Sequence, residues 1–258
     1  MGVSWLKTGQ DSAKAADQAK AEAEAKKAEM GNMFRFFVKK GEDARITFVD
    51  GELSTQGFLL PPRFYEHTVM HNGNWTNFVC PEKTSPELGH KCPLCESGDY
   101  ASLVALFTVV DHRSYTSPQT NKTYKDTTKL FVAKSGTFEM LNKIAIKRDG
   151  LVGCTFDVSR MGDKAPAVGS MFDFVEKNDP AKLKGMWTRT YKDKDGKDVT
   201  EDSFKVADYD KEIVFRSADE LRALGFGKSS GSASGFNGAS PGGSQQGAAP
   251  AKDYSNEL

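Results

Sequence analysis

Apolar and polar residues alternate with a period of two through the middle of the chain. The runs FRFFVKK at 34–40, ARITFVD at 44–50, 56–66, 75–80, ASLVALFTVVDH at 101–112, 123–133, GCTFDVSR at 153–160, MFDFVE at 171–176 and EIVFR at 212–216 are rich in β-branched and aromatic residues and read as strands. Two helices interrupt them. One spans about 137–148, with Phe138, Leu141, Ile144 and Ala145 on one side and Gly150 after it. The other spans about 218–224, where Ser217 and Glu220 form a capping box and Gly225 stops the turn. The stretch 178–211 is Lys/Asp-rich and reads as a long hairpin or loop around Asp195-Gly196. Many strands and one mid-sequence helix predict a mainly β (α+β) core, a small barrel of the OB type.

Composition divides the 258 residues into three zones. Residues 1–32 favour helix from Ala13 to Met30, with pairs such as Glu22 and Lys26 four apart, but carry no apolar stripe. They read as a helical, flexible arm, with Trp5 and Leu6 as an anchor on a neighbouring subunit. Residues 33–225 hold nearly all the large apolar residues and form the folded core. In 226–258, 21 of 33 positions are Gly, Ser, Ala or Pro, a composition that predicts a disordered tail. Its tip carries Asp253, Tyr254, Glu257 and Leu258, a short acidic and apolar peptide that other proteins could grip. No run of about 18 apolar residues predicts a membrane span, and the N-terminus has no apolar signal core.

Only four cysteines occur, and three of them lie between Cys80 and Cys95. That spacing points to a metal in a reducing, cytosolic compartment rather than to a disulfide framework. Cys92-Pro93-Leu94-Cys95 can wrap two thiolates around one tetrahedral ion. Cys80 and a histidine complete the set, with His67, His71 and His90 competing for the fourth place. Three soft thiolates and an imidazole suit one Zn²⁺, and a full ligand shell makes it structural. Cys154, alone in GCTFDV, reads as a small core residue. Position 68 is Thr, so His67 and His71 lack the acid of a zincin helix. Lys91 stands where a nucleobase deaminase needs Pro. No Walker loop or Gly-x-Ser-x-Gly is present, so the expectation is a protein that is not an enzyme.

The formal net charge is zero, from 35 basic and 35 acidic residues. The distribution is uneven, because residues 113–148 hold 8 basic and 2 acidic side chains. Strand alternation places Lys125, Lys129 and Phe131 on one face and Tyr124, Leu130 and Val132 on the other, toward the core. At 34–40, Arg35, Phe37 and Lys39 share one face, with Phe34, Phe36 and Val38 inside. Interleaved cations and rings suit unpaired bases and phosphates. Arg113, Lys122, Lys125, Lys129 and Lys134 are expected on phosphates, with Arg35 and Lys39 beside them. Phe37 and Phe131 are expected to stack on bases, joined by Tyr115 from a loop.

The pattern His67…Asn72-Gly73-Asn74-Trp75…Cys80…Cys92-Pro93-Leu94-Cys95 resembles the zinc subdomain of the T-even bacteriophage single-stranded DNA-binding, or helix-destabilising, proteins. The resemblance covers roughly residues 60–176, and the zinc motif is its specific part. It implies His67 as the fourth ligand, and an OB-fold barrel with an inserted zinc subdomain at about 62–100 beside the binding cleft. It implies largely sequence-independent coating of single-stranded DNA in phage replication, recombination and repair, in the cytoplasm of a bacterial host. Self-association on DNA is implied too, as is recruitment of replication proteins such as polymerase or helicase by the C-terminal tail. The Gly/Ser-rich linker and short tip look more like those of bacterial single-strand binding proteins. The alternative expectation is a zinc-bearing interaction adaptor of replication or transcription machinery.

Overall fold

The structure, a computed structural model, describes residues 9–17, 20, 33–116, 121–192 and 197–227. The protein is mainly β with an antiparallel sheet and several helices. Helix α1 covers 9–17. Strands β1 (Asp43–Phe48), β2 (Arg63–His71) and β3 (Asn74–Val79) follow. Next come the short helix α2 (Pro81–Thr84), a 3₁₀ turn (Pro86–Leu88) and α3 (Pro93–Glu96). Then come β4 (Ser102–Asp111), β5 (Tyr115–Thr116), β6 (Thr123–Tyr124), β7 (Thr127–Lys134) and α4 (Ser135–Arg148). The chain continues through β8 (Cys154–Ser159), β9 (Met171–Lys177), α5 (Pro180–Leu183), β10 (Thr188–Lys192), β11 (Asp198–Asp202), α6 (Tyr209–Glu212) and α7 (Ala218–Ala223).

Seven strands form one sheet in the order β3-β2-β4-β1-β8-β9, with β7 added on β4. Strand β4 organises it. Residues 104–111 pair with β7, while the other edge pairs with β2 at 102–105 and with β1 at 109–111. The expected closed barrel is not there, since among the described residues no ladder joins β7 to β9. Segment 34–38 runs between β7 and the loop that precedes β9 instead. Phe36 N–H bonds the Leu130 carbonyl at 2.7 Å, and Val38 N–H bonds the Ala167 carbonyl at 2.8 Å. Only one bridge, Arg35 to Leu130, forms there, so the expected strand 34–40 is an irregular seam.

The core lies inside the curved sheet. Phe36, Phe48, Phe107, Phe131 and Phe156 are fully buried there, in stacked, tilted and edge-to-face pairs with centroids 5.4–5.9 Å apart. Helix α4 closes one end with Leu141 and Ala145 buried and Phe138 and Ile144 packed beside them, as the periodicity predicts. The capping box of α7 forms through both Ser217 and Glu220.

Several elements differ from expectation. Strand β2 begins at Arg63, not near 56, and runs on to His71 because Asn72 and Gly73, at φ 49° and 77°, make a two-residue turn into β3. The 123–133 strand is broken at Asp126, where φ is 52°. Residues 212–216 are not a strand, since Tyr209–Glu212 is helical. The hairpin expected in 178–211 exists as β10–β11, with its turn at 193–196 outside the described residues. Phe34, expected inside, is 77% exposed. The folded unit reaches Gly227, two residues past the predicted core boundary. Trp5, Leu6, most of the arm and the tail residues Asp253, Tyr254, Glu257 and Leu258 lie outside the described residues. No helix among the described residues is long and apolar enough to cross a membrane.

Candidate functional site

The four expected ligands converge. His67 comes from the middle of β2, Cys80 from the end of β3, and Cys92 and Cys95 from either side of the first turn of α3. Their ligand atoms all lie within 4.8 Å of one another. Cys80 Sγ stands 3.6 Å from Cys95 Sγ, and His67 Nε2 stands 3.5 Å from both Cys92 Sγ and Cys95 Sγ. A tetrahedral ion bound at about 2.3 Å to sulfur and about 2.0 Å to nitrogen would set these separations at about 3.8 Å and about 3.5 Å. The donor set therefore fits a tetrahedral metal, zinc included. His71 is not in the cluster; its ring packs instead on Phe78 at 5.9 Å.

The surroundings orient the donors. His67 Nδ1 donates to the Asp99 carboxylate at 2.6 Å, which turns the Nε2 lone pair toward the thiols. Glu82 accepts from the Cys92 N–H at 2.9 Å and fixes the start of α3. Burial, then the neighbouring Cys80 and Cys92, pushes the Cys95 thiol up to about 12. Thiolates bind a metal in their deprotonated form, and a cation among them would offset their mutual repulsion. The hairpin and loop holding the cluster do not form a detached module, because β2 pairs directly with β4 of the main sheet. Asp99 had no local signal in the sequence, since it lies 32 residues from its histidine.

The expected DNA contacts separate into two groups. Phe131 is fully buried, stacked on Phe36 at 5.7 Å and opposite Phe107 in the β4–β7 register. It cannot meet a base, and the prediction for it fails. On the other face of β7, Val132 joins Tyr209 and Ile213 in packing against Phe64, Val79, Val104 and Leu106. Lys129 lies at the open end of the inner face and pairs with buried Asp111 at 2.9 Å. Arg113 binds the same carboxylate at 2.7 Å and donates to the Phe37 carbonyl at 2.9 Å. Burial alone would raise the Asp111 carboxyl, but Arg113 and Lys129 outweigh it and hold the group below its usual range. Arg35 bonds Glu66 at 2.5 Å. These three cations are satisfied within the fold. Lys39, Lys122, Lys125, Lys134 and Tyr115 are exposed, and Phe37 is 50% exposed.

A cleft of about 760 Å³ opens where β1, β4, β8 and β9 meet α5 and the loop after it. Trp187, Met186 and Leu183 form its apolar side, and Arg45, Lys125 and Lys182 its cationic rim. Asp126, Asp157 and Glu176 also line it. Two of these acids are engaged: Asp157 accepts from Nε and Nη2 of Arg45, each at 2.7 Å, and Asp126 accepts from His112 at 2.6 Å. His112 also bonds Thr47 at 2.8 Å and packs edge-on to Trp187 at 4.7 Å. Beside Lys125 the β5–β6 hairpin sets Tyr115 opposite Tyr124, both exposed. Trp187 and Lys182 were not singled out in the sequence, and Tyr124, expected toward the core, is exposed. The same interleaving of rings and cations, in 182–192, was there to read. No family model, no curated protein and no solved structure matches the chain.

Proposed function

We propose that this protein binds single-stranded DNA, largely without regard to sequence, and coats strands exposed during replication, recombination and repair. The observation that carries the reading is the cleft lined by Trp187, Lys125 and Lys182, in which Arg45 and His112 already engage Asp157 and Asp126. An indole offers a stacking surface to any base, and the cations replace counterions along the phosphates. The tyrosines of the β5–β6 hairpin and the exposed Phe37 extend the same chemistry away from it. Zn²⁺ is the proposed occupant of His67, Cys80, Cys92 and Cys95. When bound it neutralises the thiolates and cross-links β2, β3 and α3; these side chains fill its shell and leave no place for a substrate. The open sheet is read as an OB barrel unsealed along 34–38, a reading supported by the hydrogen bonds that segment makes to β7 on one side and to Ala167 on the other.

Titration of oligo-dT and of duplex DNA across a salt series tests the reading. Single strands are expected to bind more tightly, with affinity falling steeply as salt rises. Trp187→Ala is expected to weaken binding by about 1–3 kcal/mol. Equal affinity for duplex, or indifference to salt, overturns it. One observation favours the adaptor reading instead. Met70 and Trp75 face each other across the β2–β3 hairpin, 54% and 70% exposed. Such an apolar pair suits a protein partner, and that reading expects capture of a partner with no oligonucleotide binding.

A further inference from the structure

The last described segment of the chain returns to the candidate metal centre. Leu221 of α7 is fully buried against Phe78, Cys80, Cys92 and Leu94. Arg222 donates to the Lys91 carbonyl at 3.2 Å and reaches Glu96 at 3.5 Å. Phe226 packs between Phe78 and His71, each ring centroid 5.1 Å away. Gly227 comes so close to Pro93 that a Cβ there would stand 2.5 Å from the proline ring, at a φ of 72°.

The positions of these contacts are informative. Lys91 precedes Cys92, Pro93 lies between Cys92 and Cys95, Glu96 follows Cys95, and Phe78 stands two residues before Cys80. The segment therefore braces the backbone on both sides of α3, which carries half of the ligand set. Segment 217–227 buries little apart from this lobe, and α7 is only 6 residues long, too short to hold its shape alone. Its packing partners are therefore those of the lobe.

We infer that metal binding at His67, Cys80, Cys92 and Cys95 and docking of residues 217–227 are thermodynamically coupled, so that the metal lobe acts as a clasp for the root of the C-terminal tail. Loss of the ion releases the segment, and loss of the segment weakens the hold on the ion by the same factor. The inference rests on the cluster holding a metal.

The test starts from the metal content of the purified full-length protein. Absence of a stoichiometric metal overturns the metal reading and the coupling with it. With metal present, Zn²⁺ affinity is measured by competition with a chromophoric chelator for the native chain, Phe226→Ala and Arg222→Ala. A loss of about fivefold or more is expected for Phe226→Ala, and a smaller loss for the exposed Arg222→Ala. Amide exchange of the native chain supplies the reverse arm and needs no variant: residues 218–226 are expected to exchange at least about fivefold faster once the metal is stripped. Native affinity in both variants, or equal exchange at 218–226 with and without metal, overturns the coupling and leaves the metal reading standing.

Discussion

Phe131 shows how much one ring can decide. It touches Phe36, Phe48 and Phe107 at centroid distances of 5.7, 5.4 and 6.5 Å and joins both halves of the curved sheet. Phe131→Ala would empty that contact and leave a cavity that the neighbouring strands cannot fill. A stability loss of about 3–5 kcal/mol in chemical denaturation is expected. Oligonucleotide affinity per folded molecule should stay unchanged. A variant of native stability with weak binding would return Phe131 to the binding surface. The burial was hidden in the sequence because Lys129 shares the face. A lysine at the end of a strand can reach out to pair with Asp111, so one cation does not make its whole face polar.

Among the elements, the segment 203–213 is held on the outside of β4 by a buried network. Asp50 accepts from the Thr108 N–H at 2.9 Å and from the Tyr209 hydroxyl, and Tyr209 is 2.8 Å from Thr108 Oγ1. Burial raises the Asp50 carboxyl to about 6 against its ordinary 3.8. The folded protein therefore keeps a proton that the unfolded chain has released between pH about 4 and about 6. Stability falls as pH rises through that window and levels off above it, by on the order of 3 kcal/mol from this group. Asp50→Asn is expected to flatten that part of the profile in thermal melts from pH 4 to 7. An identical slope in both proteins would reject the assignment. Legibility at this scale followed period and length. Strand β4 and helix α4 were readable, since ten and fourteen residues repeat one pattern. The seam at 34–38 and the break at Asp126 were not, because alternation over a few residues does not report whether a neighbour is present to pair.

For the whole molecule, the candidate metal lobe joins the main sheet where β2 pairs with β4, yet lobe and core differ in what holds them. The main core has its Phe cluster, whereas the lobe's own buried apolar residues are few: Phe78, Leu94, Ala101 and Leu221 beside two cysteines. Chelation is therefore expected to expose three thiols to a thiol reagent, those of Cys80, Cys92 and Cys95. Cys154 should stay protected, since it is buried in the main core against the Gly150 carbonyl. Uniform reactivity of all four would mean that the lobe and the core unfold as one unit.

The clustering of the three cysteines was legible from spacing, because two thiols two residues apart can reach one ion whatever surrounds them, whereas the choice of His67 came from the resemblance. The β class was legible too, since alternation is imposed by the strand itself. Tertiary packing decided which side of each strand is wet, that the sheet stays open, and that Trp187 comes beside Lys125 and His112. It also brought Asp99 to His67 and folded Phe226 back onto the lobe. Each of these joins residues far apart in the chain, and local pattern carries no information about which distant surface will cover it.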